Sequence, residues 1–196
     1  MSKREESRAR ILAGAGRAFR SLGFGGAGVD GLAKASGVTS GAFYAHFESK
    51  ADAFRQAVVV GMAELEGAIR GLQLEAGPKW LPRFVDMYLG EKRTCDLGDS
   101  CALQSLTAEV ARADGDTREA YEAELRGVID AVAEGIHGSS RSARRRTSIV
   151  TLALLAGGVS LARAVRNPAF SEEIASAIRH AVLGLRAAAA PPRERG

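Results

Sequence analysis

Leu32 to Lys50 reads LAKASGVTSGAFYAHFESK. Leu32 and Ala33 lie on one short helical stretch, predicted over 30–36, and Gly37-Val38 makes a tight turn after it. Thr39 stands where an N-cap belongs, and a second short helix is predicted over 40–47. Phe43 and Phe47, four apart, face inward as core. Two short helices joined by a glycine turn form a helix-turn-helix pattern. In such units the second helix enters the DNA major groove with its first residues toward the base edges. Here those residues are Thr39, Ser40, Gly41 and Ala42, small enough for close backbone approach. Hydroxyls and exposed amides at a helix start suit phosphate oxygens. Tyr44 and His46 sit off the buried face with polar groups for phosphate, and Lys50 opens the next helix, where cation and dipole together hold one phosphate.

Working outward, the helix before this segment carries the stripe Ile11, Leu12, Ala15, Phe19 and Leu22, with a capping box at Ser2 and Glu5 and a stop at Gly23. Ser49 and Asp52 form a capping box for a long helix to about Ile69. Further helices are predicted over 79–92, 101–112, 117–136 (capped by Asp116), 142–165 and 171–187, with 187–196 as a frayed tail. The 142–165 helix is apolar nearly all round, so it must be buried all round. No alternating strand pattern interrupts them, and the expected fold class is all-α. The division expected is a head over 1–50, a helical body over 51–190 and a tail over 191–196.

Charge agrees with a nucleic-acid partner. Residues 1–50 hold eight basic residues and four acidic ones, which accounts for the whole of the chain's net charge of +4. A basic head on a neutral body suits a polyanion. A hydrophobic share of 46% with 26% charged residues excludes a disordered chain. The longest uncharged apolar run, 149–162, is shorter than the roughly 20 residues of a membrane span. The start of the chain is charged and shows no leader pattern, so a cytoplasmic protein is expected, with no membrane partner. Two cysteines are too few for a disulfide framework, and the three histidines are scattered, so neither a metal nor a cofactor is expected. No nucleophile stands with a nearby base and no phosphate loop occurs, so an enzyme is not expected.

Leu32-Ala33, Gly37-Val38-Thr39, Gly41, Tyr44, His46-Phe47 and Lys50 together resemble the helix-turn-helix of the TetR family, the tetracycline-repressor-like regulators, without a gap. The family often has threonine near the start of the head's second helix; Gly28 and Val29 stand there instead, leaving a backbone amide to serve. The resemblance implies a repressor, released by a small-molecule effector, that binds a palindromic double-stranded operator as a homodimer. It places the dimer bundle on 142–165 and 171–187, where Ala153, Ala156, Gly157 and Ser160 allow close helix approach. It also implies an effector pocket in the body, for which Trp80, Phe84, Met87, Tyr88, Leu103, Leu106 and Tyr121 are the apolar and anchoring candidates. Cys101 opens a helix near Cys95, and the stretch from Cys101 to Leu106 with Glu109 is similar to one in a subgroup containing electrophile and oxidant sensors. The alternative is therefore a redox-sensing regulator switched through Cys101, with Asp96 and Asp99 opposing its thiolate.

Overall fold

The computed structural model describes residues 3–138 and 140–189. Ser2, expected as a cap, and the 191–196 tail lie outside the described residues. Among them every long element is helical: α1 (Lys3–Gly26), α2 (Val29–Ala35), α3 (Ser40–Tyr44), α4 (Lys50–Ala76), α5 (Trp80–Leu89), α6 (Glu91–Thr94), α7 (Ala102–Val110), α8 (Gly115–Gly135), α9 (Arg141–Ala164) and α10 (Pro168–Ala189). The chain forms two compact units, Met1–Glu64 with Cys95–Glu124, and Leu65–Thr94 with Leu125–Gly196.

In the first unit Ile11, Leu12, Ala15 and Phe19 of α1 are buried, as their spacing predicts. Leu22 is not; it is 58% exposed, because Gly23 (φ +70°) breaks the helix immediately after it. Phe54 of α4 packs edge-on against Phe19 and Phe24, with ring centroids 5.1 and 5.2 Å away. Such edge-to-face pairs add to the area term of burial. Helices α1 and α2 cross closely at Gly14, where a Cβ would lie 2.7 Å from both Ala35 O and Ser36 Cα. The buried Ser36 hydroxyl pins the crossing, lying 2.9 Å from Ile11 O and 2.7 Å from Leu32 O. A second close crossing places Gly61 of α4 against Ala102 of α7.

In the second unit α5 buries Trp80, Phe84 and Tyr88 on one stripe. The Trp80 indole N–H donates to Gly135 O at 2.7 Å, satisfying a polar atom that burial would otherwise leave costly. Helices α9 and α10 meet at Gly158, where a Cβ would come 2.6 Å from Ile178. Gly158, not the neighbouring Gly157, is the residue this approach requires, since nothing lies within 4 Å of a Cβ at Gly157. Arg93 ties the start of α10 down, donating to Leu89 O, Ser171 and Glu172. Ser140 caps α9 by accepting from Ala143 N–H at 3.1 Å.

Several boundaries differ from expectation. The 79–92 helix is broken at Gly90 into α5 and α6. Helix α8 starts earlier, and its cap is Asp114, which accepts from Thr117 N–H at 2.7 Å; Asp116 instead faces Arg55 with 83% of its side chain exposed. Helix α9 is one-sided within a single chain. It buries Leu152, Leu155, Val159 and Ala162, while Ile149, Val150 and Leu161 are 46%, 40% and 61% exposed. By length and mean hydropathy (1.5 over 18 residues) α9 is also apolar enough to cross a membrane. One side of it packs on α5, α6 and α10.

Candidate nucleic-acid interface

The turn between α2 and α3 is built by the backbone. Gly37 has φ +70°, its N–H donates to Lys34 O at 3.1 Å, and Val38 N–H donates to Ala33 O at 3.0 Å. This is the six-to-one and five-to-two pair of a Schellman ending, and the left-handed residue it needs is the glycine. Helix α3 then starts at once. Thr39 caps it by accepting from Ala42 N–H at 3.2 Å. Phe43 and Phe47 are 0% and 1% exposed and pack on each other with centroids 4.9 Å apart. They hold the opposite side of α3 outward.

Thr39, Gly41 and Tyr44 are exposed, and Ser40, Ala42, His46 and Lys50 are half-buried. Helix α3 is shorter than expected, ending at Tyr44, so His46 and Phe47 lie in the turn that follows. Ser49 accepts from Asp52 N–H at 3.0 Å, and Asp52 accepts from Glu48 N–H at 3.2 Å. This fixes the start of α4 and hence Lys50. The Lys50 ammonium sits 4.4 Å from the centre of the Phe24 ring, a cation–π contact that aims it. Ser40 is not a loose hydroxyl, since it donates to Asp30 Oδ1 at 2.5 Å. Gly28 precedes α2 with no side-chain cap, so that helix start presents backbone alone.

The basic surplus of the head is not all turned toward α3. Arg17 pairs with Asp99, and the Arg20 Nε–H donates to Gly98 O at 2.7 Å. Sequence alone could not separate these two arginines from the rest, because their partners lie far along the chain.

Of the expected effector residues, Trp80, Phe84, Met87 and Tyr88 lie in the second unit, and Leu103, Leu106 and Tyr121 in the first. The Tyr121 hydroxyl lies 2.8 Å from Thr107 Oγ1, and burial pushes its phenol above the usual range. A cleft of about 580 Å³ is lined by Arg126, Asp130, Arg141, Ser142 and Arg145 and includes none of the expected residues. Cys95 and Cys101 are half-buried and form no disulfide. Arg20 carries positive charge close enough to interact with both thiols. Arg17 also offsets Asp99, one of the two carboxylates expected to oppose a thiolate. Among the described residues no group of three His, Cys, Asp or Glu side chains is placed to hold a metal.

Helix α3, capped by Thr39 and seated on Phe43 and Phe47, completes a helix-turn-helix unit with α2. Residues 11–57 match the family model of bacterial regulatory proteins of the TetR family. The fold is shared with NemR of E. coli in its reduced form (20% identity, 89% of this chain and 96% of that one, TM-score 0.73). It is shared equally with TetR-family regulators from Cytophaga hutchinsonii (18%, 95% and 98%, TM-score 0.75) and Streptomyces coelicolor (19%, 95% and 97%, TM-score 0.74). No curated protein matches the chain by sequence. The family match assigns residues 11–57 to the DNA-binding head of the TetR family, and the solved structures share the all-helical fold.

Lys50→Ala should weaken binding to all duplexes alike and lower the slope of log K against log salt by about one per head. A slope that stays constant, measured by anisotropy between low and physiological salt, would place the ammonium away from phosphate.

Proposed function

We propose that the chain is a repressor that binds a palindromic operator as a homodimer and is released by a small-molecule effector. In this reading residues 1–50 bind DNA through Thr39, Ser40, Gly41, Ala42, Tyr44, His46 and Lys50, and residues 51–190 dimerise and bind the effector in the cytoplasm. The observation that carries it is the pairing of an outward α3 with the apolar face of α9. Ile149, Val150 and Leu161 are exposed in a single chain, and Phe170 on α10 is 49% exposed. A second copy across a two-fold axis buries such a face isologously, and a two-fold dimer with two heads reads a palindromic site. Ala153, Gly157 and Ser160 on the same side permit close approach. The effector candidates remain Trp80, Phe84, Met87 and Tyr88 in the second unit and Leu103, Leu106 and Tyr121 in the first.

A second trigger is favoured by one observation. The Arg20 guanidinium interacts electrostatically with Cys101 and Cys95, and its Nε–H holds Gly98 O of the segment between them. Oxidation at Cys101 would then act on the segment that Arg17 and Arg20 hold against α1. Selection of bound duplexes from a random pool, with and without reductant, tests both readings. A two-fold symmetric consensus supports the dimeric regulator, and its loss only on oxidation supports the thiol trigger. Enrichment of no sequence contradicts the reading.

A further inference from the structure

We propose that Asp30 fixes the hydrogen-bonding polarity of Ser40, making Ser40 a reader of base amino groups. The inference deepens the DNA-binding reading of α3 and rests on it. The Ser40 hydroxyl donates to Asp30 Oδ1 at 2.5 Å, joining the first turn of α3 to the first turn of α2 across ten residues of sequence. A serine hydroxyl has one proton and two lone pairs, and an ionised carboxylate can only accept. With the proton committed to Asp30, Ser40 has only lone pairs to offer a ligand. Its neighbour is set the other way. Thr39 Oγ1 accepts from Ala42 N–H, so its proton is the one left to give.

Two adjacent hydroxyls, on exposed Thr39 and half-buried Ser40, therefore carry opposite polarity. Phosphate oxygens only accept, so they suit Thr39; at Ser40 they would meet lone pairs and the Asp30 charge behind them. In the major groove the groups that donate are the N4 amino group of cytosine and the N6 amino group of adenine, whereas guanine O6 and N7 and thymine O4 accept. Ser40 should therefore select cytosine or adenine at the base it meets and reject guanine and thymine. Gly41 and Ala42 bring no competing polar group, and open space surrounds Gly41. Asp30 touches no base in this scheme; it is a positioning residue.

The test is duplex selection with the wild-type full chain and with Ser40→Ala, Asp30→Ala and Asp30→Asn. One position per half-site should be restricted to cytosine or adenine in the wild type. Asp30→Ala frees the hydroxyl to donate as well as accept, so preference there should fall roughly three- to tenfold, the worth of one hydrogen bond, while the other positions hold. Affinity for all duplexes should rise slightly, since a negative charge is removed from the groove side. Asp30→Asn keeps a carbonyl oxygen for the Ser40 proton and should keep the preference. A merely structural Asp30 would lower affinity without altering preference. A firm consensus that Asp30→Ala leaves unchanged overturns the proposal alone. A wild-type chain with no consensus overturns the regulator reading, and this proposal with it.

Discussion

Gly14→Val is expected to unfold the head and abolish DNA binding. The added Cβ would sit 2.7 Å from Ala35 O and 2.7 Å from Ser36 Cα, both backbone atoms that no rotamer change can move. Ordinary van der Waals contact needs 3.4–4 Å, so α2 must move away from α1. That movement breaks the Ser36 hydroxyl contact to Ile11 O and withdraws Leu32 and Ala33, which are 0% and 2% exposed, from the core. Overpacking costs about 1–3 kcal/mol and a lost buried hydrogen bond about 1 kcal/mol more. Together these are a large share of the stability of a small helical head. Amide exchange in α2 should become fast, and operator binding should vanish at all salt concentrations. Unchanged protection of α2 would mean that the crossing is looser than the geometry requires.

Leu161→Glu should give a monomer that folds and binds DNA weakly. Leu161 is 61% exposed in the single chain, so the change costs little there. In the proposed dimer it places a carboxylate from each copy in a shared apolar seam, where unpaired charge is expensive. Each head would then bind its half-site alone. Loss of the linked second head lowers apparent affinity by about 10²- to 10⁴-fold, the gain that tethering confers. Sedimentation should show half the wild-type mass, with helical circular dichroism retained. A dimer that persists with unchanged DNA affinity would put the interface elsewhere.

The head was legible because its determinants are local. Gly37 at a left-handed position, the Thr39 cap, the Ser49/Asp52 pair and the Phe43/Phe47 spacing each act within a few residues, so sequence spacing states them almost directly. What escaped reading depends on partners distant in sequence. Arg17 and Arg20 look like DNA-facing charge until Gly98 and Asp99 are brought beside them. Gly14 looks like an ordinary helix residue until α2 crosses it. Of two adjacent glycines, apolar periodicity could not say that Gly158 meets Ile178 while Gly157 stays open. The α8 cap was misplaced because Asp114 and Asp116 are both good caps two residues apart, and only the bond from Thr117 N–H distinguishes them. The apolar girth of α9 was read correctly, but one side of it packs on its own chain and the other is left outward.

The measurement that bears most directly on the central claim is competition between a selected duplex and a scrambled duplex of equal base composition, at physiological salt, for the full chain. A sequence-specific regulator reading its site through α3 should prefer the selected duplex by at least about a thousandfold. Equal affinity for the two duplexes would show that the head meets DNA through phosphate charge alone and would contradict the account.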